Sequence, residues 1–465
     1  MAYVRGRRER RPLFRRLLRV VLPFAVIAVV VGWLTVGPAP EITIEPELPG
    51  LGPATPVLVT LEEPRRGVGS FQVELEHEGG VDVLARESRQ ARPWWTPWAP
   101  RTVRHEVNLT VGKEMVPELQ EGEATLRVVA QRAGTWLRTP EASVTELTLP
   151  VRLTPPRLAV ARGPSAVRAG GSAVVVYRVG EQAATHGVRV GERFFPGYPL
   201  PGADPGSSSQ RFCLFALSWD AESAEEVWLE VADELGNQTR TSLLDTVVAA
   251  PPKDDDIRVP DSFLERVVPK ILERTPEIEA GENLLASYLL LNNELRAANA
   301  ATLAALAKET APEFLWKGPF RQLPDSQVMA GFAERRTYLY DGEAVDRQVH
   351  LGYDLASVRQ APVPAANAGR VVFADYLGIY GYTVVVDHGH GLMTLYSHLS
   401  SIAVDAGQSV ETMQTLGRTG ITGLAGGDHL HFSVLVHGVF VNPLEWWDPR
   451  WVERSILRPL EDASP

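Results

Sequence analysis

Histidines are concentrated near the end of this 465-residue chain, in a pattern that suits a metal site. Seven of the ten histidines lie between residues 350 and 437. His350 and Asp354 are four residues apart, His398 follows, and His429 and His431 are separated by one residue. Catalytic zinc takes three protein ligands from His, Asp or Glu side chains and keeps a fourth position for water. The segment offers three such ligands and two further imidazoles for proton transfer, so it predicts an enzyme and not only a metal-stabilised fold.

Local spacing indicates how these side chains are presented. His429 and His431 alternate with apolar residues, so in a strand both imidazoles project from one face while the apolar side chains enter a core. Gly352 stands between His350 and Asp354 and disfavours a helix there. An extended backbone again places the two ligands on one side. From the residues alone, the expected ligands are His350, Asp354 and one member of the later histidine pair.

Length and composition predict several folded units. A chain of 465 residues exceeds the size of a single hydrophobic core, and its contents of 45% hydrophobic and 22% charged residues are typical of globular proteins. The single cysteine, Cys213, excludes an intrachain disulfide framework and a cysteine-based metal site. The net charge is −11. An acidic body argues against nucleic-acid binding, which requires a basic face on the folded domain.

The N-terminal region predicts a membrane anchor. Residues 1–19 contain eight arginines and one glutamate, and residues 20–36 contain no charge. We interpret the first segment as a basic cytoplasmic head and the second as an uncleaved transmembrane helix in the inner membrane; a cleaved signal peptide and a buried helix are the alternatives. The positive-inside rule then predicts a cytoplasmic N-terminus and a body in the periplasm or on the extracellular side.

The predicted fold class is multidomain. Alternating and β-branched segments, separated by Gly, Pro and charged clusters, predict two β-sandwich modules of immunoglobulin-like type over residues 41–154 and 157–250. Segments rich in Leu and Ala with few breakers predict a helical connector over residues 257–312. Short strands with Gly-rich turns predict a mainly antiparallel β domain over residues 315–451, followed by a tail over residues 452–465.

Several other polar features have structural interpretations. The acidic run Asp254–Asp256 follows two prolines and is predicted to be a solvated linker. His388 and His390 stand in a glycine-flanked turn, and His437 precedes a glycine, so all three are predicted to be exposed turn residues.

The C-terminal segment resembles the lysostaphin/LytM-type zinc metallopeptidases, which cleave peptide bonds in bacterial peptidoglycan. The motifs that carry the resemblance stand in the family's order within residues 330–445 and read His350-x-x-x-Asp354, Tyr396-x-His398-Leu399 and His429-Leu-His431-Phe432. Two stretches depart from the family pattern, Met329–Arg335 before the first motif and Gly423–Asp428 before the last. Neither contains a ligand, but both are expected to border the cleft and to affect substrate preference.

The resemblance implies a duplicated hybrid motif fold and one zinc ion per chain, held by His350, Asp354 and His431. It also implies that His398 and His429 act on the attacking water and on the developing oxyanion, with the division of those steps between them left open. These roles agree with general chemistry, because zinc lowers the pKa of bound water to about 7 and a neutral imidazole accepts the proton that is released.

We therefore expect a membrane-anchored zinc metalloendopeptidase that hydrolyses peptide bonds of peptidoglycan. The alternatives are a non-catalytic activator of another cell-wall enzyme and a scaffold that uses its β modules. Activators of this fold usually lack ligands, whereas all five positions are present here. Peptidoglycan and the inner membrane are the expected partners, with cell-wall or division proteins as further partners of the β modules.

Overall fold

The computed structural model describes residues 12–34, 39–63, 67–88, 103–132, 141–202 and 209–462. Residues 1–11 of the predicted basic head and residues 463–465 of the predicted tail lie outside that set. The chain divides into two compact units. The first comprises Met1–Pro155 with Ala232–Asn237, and the second comprises Pro156–Val231 with Gln238–Pro465.

A helix covers most of the segment that the sequence predicts to be a membrane anchor. This helix, α1, spans Pro12–Leu34. Within the described part of the chain, no helix is both long and apolar enough to cross a membrane. The predicted transmembrane helix over residues 20–36 is therefore not supported.

The first unit is built from antiparallel strands in two sheets. Its strands are β1 (Glu41–Pro46), β2 (Thr55–Glu62), β3 (Val68–His77), β4 (Gly80–Ser88), β5 (Arg104–Val111), β6 (Gly122–Arg132) and β7 (Ser143–Val151). One sheet has the order β1-β2-β5 and the other has the order β4-β3-β6-β7. Phe71, Val73 and Leu75 alternate along β3 and are buried in the core of this unit, as the period-two pattern of the sequence predicts.

The second unit begins with a further group of strands. They are β8 (Leu158–Arg162), β9 (Ala166–Arg168), β10 (Ser172–Val179), β11 (Thr185–Val190), β12 (Arg193–Pro196), β13 (Tyr198–Pro199), β14 (Gln210–Ala216), β15 (Val227–Ala232), β16 (Gln238–Ser242) and β17 (Thr246–Val248). They form the sheets β13-β14-β10-β8 and β12-β11-β15-β16, and a parallel pair of β9 with β17. The β structure that the sequence predicts for residues 157–250 is thus confirmed, and the immunoglobulin-like type of the module stays a prediction.

The rest of the second unit contains the histidine motifs. Its strands are β18 (Lys253–Arg258), β19 (Gln327–Ala330), β20 (Glu334–Tyr340), β21 (Glu343–His350), β22 (Tyr353–Ala356), β23 (Pro362–Pro364), β24 (Gly369–Tyr376), β25 (Tyr382–Asp387), β26 (Leu392–Leu399), β27 (Ser401–Ile402), β28 (Ser409–Val410), β29 (Thr415–Arg418), β30 (Leu430–Val436) and β31 (Val439–Val441). The main sheet has the order β19-β22-β30-β26-β25-β24-β28, with β31 beside β30. Smaller sheets have the orders β18-β20-β21 and β23-β29-β27.

The predicted acidic linker contains a strand. β18 pairs in parallel with β20, so that Asp254 is opposite Arg335 and Lys253 is opposite Glu334. The guanidinium of Arg335 donates to both oxygens of Asp254, at 2.8 and 3.0 Å, and the ammonium of Lys253 pairs with Glu334. The prediction of a solvated linker was therefore wrong about its backbone, because this segment pairs with a strand that is distant in sequence.

Helices lie on both sides of the C-terminal β region in sequence. They are α2 (Asp261–Leu272), α3 (Leu284–Leu290), a π-helical turn (Leu291–Leu295), α4 (Arg296–Leu306), α5 (Pro443–Trp447), α6 (Pro449–Val452), a second π-helical turn (Glu453–Leu457) and α7 (Arg458–Glu461). Asn283 caps α3, because its side-chain oxygen accepts from the backbone N–H of Ala286 at 2.8 Å. Helices α2–α4 fall within the segment that the sequence predicts to be a helical connector.

The two faces of the main sheet pack against different elements. Leu430, Phe432 and Val434 of β30 enter a core that also contains residues of β10 and β14, so the predicted apolar face of this strand is confirmed. Leu435 points the other way and packs with residues of α2, α3 and α4. His431 is separated from Leu435 by four residues and shares its face. The histidine motifs therefore lie on the sheet face that the helices cover.

Three histidines outside the predicted site are not exposed turn residues, contrary to the sequence prediction. His388 and His390 are buried, and His437 is partly buried. The ring centroid of His390 lies 4.5 Å from that of Tyr198 and 5.0 Å from that of Phe212. Both aromatic residues belong to the strands that precede residue 250, so packing between segments far apart in sequence covers a turn that appears exposed locally.

Because these imidazoles are buried, we expect the free energy of unfolding to decrease as the pH is lowered. Burial lowers the pKa of His388, His390 and His437 to about 4, against about 6.5 in an unfolded chain. Between those values the unfolded chain binds protons that the folded chain does not, so the folded state loses stability as pH falls through this window. We expect a loss on the order of 3 kcal/mol per histidine by pH 4, measured by denaturant unfolding at a series of pH values.

A matched variant isolates one of these histidines. His388→Gln should flatten the dependence of the unfolding free energy on pH between about 6.5 and 4 by the contribution of one proton. The slope is the readout, because the substitution also changes absolute stability through the lost packing. A variant with the wild-type slope would contradict this explanation.

Candidate metal centre and active site

Three neighbouring strands bring the predicted ligands together. His350 ends β21, Asp354 lies in β22, and His431 lies in β30 directly opposite Asp354 in the antiparallel register. The Nε2 atom of His350 lies 3.0 Å from Asp354 Oδ1 and 3.0 Å from His431 Nδ1. His431 Nδ1 lies 2.9 Å from Asp354 Oδ1. One carboxylate oxygen and two imidazole nitrogens thus form a compact triangle.

Outer hydrogen bonds set the tautomer of His350. Its Nδ1 lies 2.8 Å from the carbonyl oxygen of Gly331. A carbonyl oxygen only accepts, so Nδ1 carries the proton and Nε2 turns a lone pair towards the triangle.

A serine sets the tautomer of His431. Ser433 donates its hydroxyl proton to the carbonyl oxygen of Leu351 at 2.8 Å, and its oxygen lies 3.1 Å from His431 Nε2. Ser433 therefore accepts from Nε2–H, and Nδ1 of His431 turns its lone pair inward. Gly352 permits this close packing, because a Cβ there would lie 2.6 Å from the Ser433 oxygen and 2.7 Å from His431 Nε2.

The carboxylate of Asp354 is held from both sides. Its Oδ1 faces the two imidazoles, while its Oδ2 accepts from the Arg336 guanidinium at 3.1 Å. Burial would raise the pKa of Asp354, but the neighbouring imidazoles, His350 foremost, hold that pKa well below its usual value. Arg336 also faces the buried carboxylate of Glu334 at 3.6 Å. Asp354 is therefore an ionised, oriented carboxylate.

The donor set fits a zinc ion. Two imidazole nitrogens and an anionic oxygen that are 2.9–3.0 Å apart offer three donor atoms to one cation. The spacing allows one ion to lie at about 2.0–2.1 Å from each atom, as nitrogen and oxygen ligands of zinc do. The outer partners of both imidazoles are of the kind that orient metal-binding histidines.

Two further imidazoles border the triangle, as the sequence predicts. The ring centroid of His398 lies 4.9 Å from that of His429 and 5.8 Å from that of His431. His429 Nε2 lies 3.5 Å from Asp354 Oδ1. The structure thus brings all five predicted site residues into one cluster.

Each of these two imidazoles has its Nδ1 engaged by the backbone. His398 Nδ1 donates to the Thr422 carbonyl and His429 Nδ1 donates to the Gly427 carbonyl, both at 2.8 Å. Both Nε2 atoms are thereby left to accept or release the second ring proton. Burial holds the pKa of His398 well below its usual value. For His429, burial would lower the pKa, but hydrogen bonding to Asp354 and its charge raise it.

A cavity of about 300 Å³ contains the site, and residues far apart in sequence line it. The helical segment contributes the following side chains: Phe263, Tyr288, Asn292 and Arg296. Arg266 of α2 donates to the carbonyl oxygens of Ala425 and Gly426 at 3.3 and 3.2 Å, in the loop that departs from the family pattern. Sequence reasoning missed these residues and Arg336. No spacing signal marks them, because only the folded sheet and helices bring them to the ligands.

Comparison with known proteins assigns the segment that contains the site to a family. Residues 348–443 match the model of peptidase family M23. Over 96 residues the chain is 40% identical to the peptidoglycan DD-endopeptidase ShyA of Vibrio cholerae, a match that covers 21% of this chain and 22% of that protein. Over 118 residues it is 37% identical to stage II sporulation protein Q of Bacillus subtilis, covering 24% of this chain and 42% of the relative.

The similarity is confined to part of each relative. The chain spans about a fifth to two fifths of the length of these curated relatives. A crystal structure of an M23 peptidase from Pseudomonas aeruginosa aligns with 60% of this chain and 94% of its own, at 22% identity and a TM-score of 0.37. The family match, together with the order of the three motifs, identifies residues 348–443 as a domain of peptidase family M23 and confirms the resemblance to the lysostaphin/LytM-type enzymes.

Proposed function

We propose that this protein is a zinc-dependent endopeptidase that hydrolyses peptide bonds of bacterial peptidoglycan. The observation that carries the proposal is the convergence of two imidazole lone pairs and the ionised Asp354 on one point, with two further imidazoles beside it. The similarity to a protein named as a peptidoglycan DD-endopeptidase supports the substrate class.

The chemistry follows from the side chains around that point. His350, Asp354 and His431 would hold the zinc ion, which when bound would lower the pKa of a water and polarise the scissile carbonyl. His398 and His429 direct their Nε2 atoms towards the site, where an unprotonated Nε2 accepts a proton from water and a protonated one donates to the oxyanion or to the leaving amine. Arg336 keeps the Asp354 carboxylate oriented, because it binds the oxygen that does not face the imidazoles.

The proposal includes a location and partners. Peptidoglycan lies outside the inner membrane, so the substrate requires an exported body, in the periplasm or on the extracellular side. The β-rich segments over residues 41–154 and 157–250 are proposed to bind other cell-wall or division proteins.

Digestion of isolated sacculi tests the proposed function and identifies the bond. The purified, zinc-loaded chain should release soluble muropeptides, which chromatography and mass spectrometry resolve, and each cleavage should expose one new amino group. Removal of the metal with a chelator should stop release, and added zinc should restore it. Zinc uptake without any change in the muropeptides would favour the alternative, a non-catalytic activator or scaffold for another cell-wall enzyme.

Replacement of Ser433 tests the orientation of a ligand. Ser433→Ala removes the acceptor of the His431 Nε2 proton and leaves His431 Nδ1 in place. Loss of such an outer partner typically weakens metal binding by about 10- to 100-fold, and we expect that loss in competition titrations with a zinc-binding dye. Ser401→Ala, an exposed serine on β27, is the control and should keep wild-type affinity.

A further inference from the structure

A second cavity lies between β8–β10 and the helices after residue 448. Its volume is about 620 Å³, within the range of pockets that hold small organic ligands. Its lining shares no residue with that of the metal-site cavity. The cavity is lined by residues that are far apart in sequence, such as Ser172 at the start of β10 and Trp451 in α6. The metal-centre chemistry does not use this cavity.

Positive charge dominates the lining of the cavity. Four guanidinium groups and two carboxyl groups line it, in a chain whose net charge is −11. The four guanidinium groups belong to Arg162, Arg168, Arg454 and Arg458. Among the described residues, no carboxylate lies within 4.0 Å of a guanidinium nitrogen of Arg168 or Arg454. These two side chains therefore keep their N–H donors for a ligand.

A buried hydroxyl also faces the cavity without a partner. Ser172 is 3% exposed, and its side-chain oxygen makes no hydrogen bond to any residue that the structure describes. Buried polar groups are nearly always paired, so an orphaned one at a cavity wall indicates a ligand or a bound water. The backbone N–H of Ser172 donates to Glu445 at 3.1 Å, which fixes that carboxyl beside the hydroxyl. Burial raises the pKa of Glu445 to about 7, so near neutral pH it is partly protonated and then donates too.

We propose that this cavity binds the oxyanion group, carboxylate or phosphate, of a sugar-sized ligand through Arg168, Arg454 and Ser172. The planar guanidinium fork matches both oxyanions, and the serine hydroxyl supplies a neutral donor. Trp451 offers an apolar face on which a ring can pack. The volume is far larger than a free anion needs, which is why the ligand carries more than the charged group. This inference goes beyond the proposed hydrolysis and does not rest on it.

Calorimetric titration of the full chain with three sugars tests the site. The probes are N-acetylmuramic acid with a carboxylate, N-acetylglucosamine 6-phosphate with a phosphate, and neutral N-acetylglucosamine. At least one anionic sugar should bind and the neutral one should not, and the tighter of the two anionic sugars identifies the oxyanion. The double variant Arg168→Gln, Arg454→Gln should weaken binding at least about tenfold, whereas Glu445→Gln, which removes a competing negative charge, should strengthen it.

Controls separate this site from the fold and from the metal centre. Arg178 is an exposed arginine of β10, the strand of Ser172, and it does not line the cavity. The variant Arg178→Gln should therefore bind the sugars like the wild type. His350→Ala should also bind the anionic sugar like the wild type, because His350 does not line this cavity. The sugar-binding result is therefore independent of whether the proposed hydrolysis is correct. Thermal unfolding of each variant reports whether it folds, and Ser172→Ala provides a milder variant that should weaken binding. Absence of binding by both anionic sugars, or equal binding by the neutral one, would overturn the inference.

Discussion

Asp354→Ala should abolish zinc binding and peptidoglycan hydrolysis together. The substitution removes the anionic member of the donor triangle and leaves two imidazole lone pairs facing each other without a negative charge to help hold a cation. Loss of the ion removes several kcal/mol of transition-state stabilisation. We therefore expect the release of muropeptides to fall by at least about a thousandfold, with zinc content measured on the same samples.

The change also leaves the Arg336 guanidinium without the carboxylate that it binds, so folding is measured separately. Asp354→Asn keeps the size of the side chain and should retain the fold better while still losing the metal. Asp375→Ala, an exposed aspartate of β24, is the matched control and should retain both zinc and activity. Retention of stoichiometric zinc in both Asp354 variants would contradict the assignment of this ligand.

His398→Gln should separate metal binding from catalysis. Its imidazole lies beside the donor triangle, with Nδ1 bound to a backbone carbonyl and Nε2 free to exchange protons. Loss of a general acid or base typically costs about 10²- to 10⁴-fold, and we expect a fall of that size in the turnover rate. The zinc content should remain one ion per chain.

The same experiment applies to His429, because both imidazoles present Nε2 towards the site. His429→Gln should lower turnover within the same range, although its contact with Asp354 makes a modest loss of zinc affinity an accompanying effect. His77→Gln changes a histidine of the first unit and should leave turnover unchanged. Wild-type turnover in His398→Gln would rule out a proton-transfer role for that residue.

Local patterns predict the clustering of the candidate ligands well because these residues lie in short extended segments. The alternation of histidines with Leu430 and Phe432 places the polar face and the apolar face of β30 correctly. The four-residue spacing of His350 and Asp354 suits the turn between β21 and β22. What the pattern leaves open is which histidine of the later pair belongs with those two ligands. The structure brings His431 closest, because it lies directly opposite Asp354 in the sheet register.

Other features depend on contacts between distant segments, which no local pattern encodes. The local sequence around Asp254 predicts a linker, whereas the parallel pairing of β18 with β20 places Arg335 beside it. His390 looks like an exposed turn residue until Tyr198 and Phe212 cover it. The helices that line the metal-site cavity come from a segment that lies up to ninety residues before the first ligand, so their position follows from tertiary packing alone.

Anomalous diffraction at the zinc absorption edge, on crystals of the zinc-loaded protein, tests the central claim most directly. We predict one strong peak in this part of the molecule, about 2.0–2.1 Å from His350 Nε2, Asp354 Oδ1 and His431 Nδ1, with the imidazoles of His398 and His429 outside ligand distance. A peak coordinated by His398 or His429 in place of any of these three, or no peak at the triangle, would contradict the account.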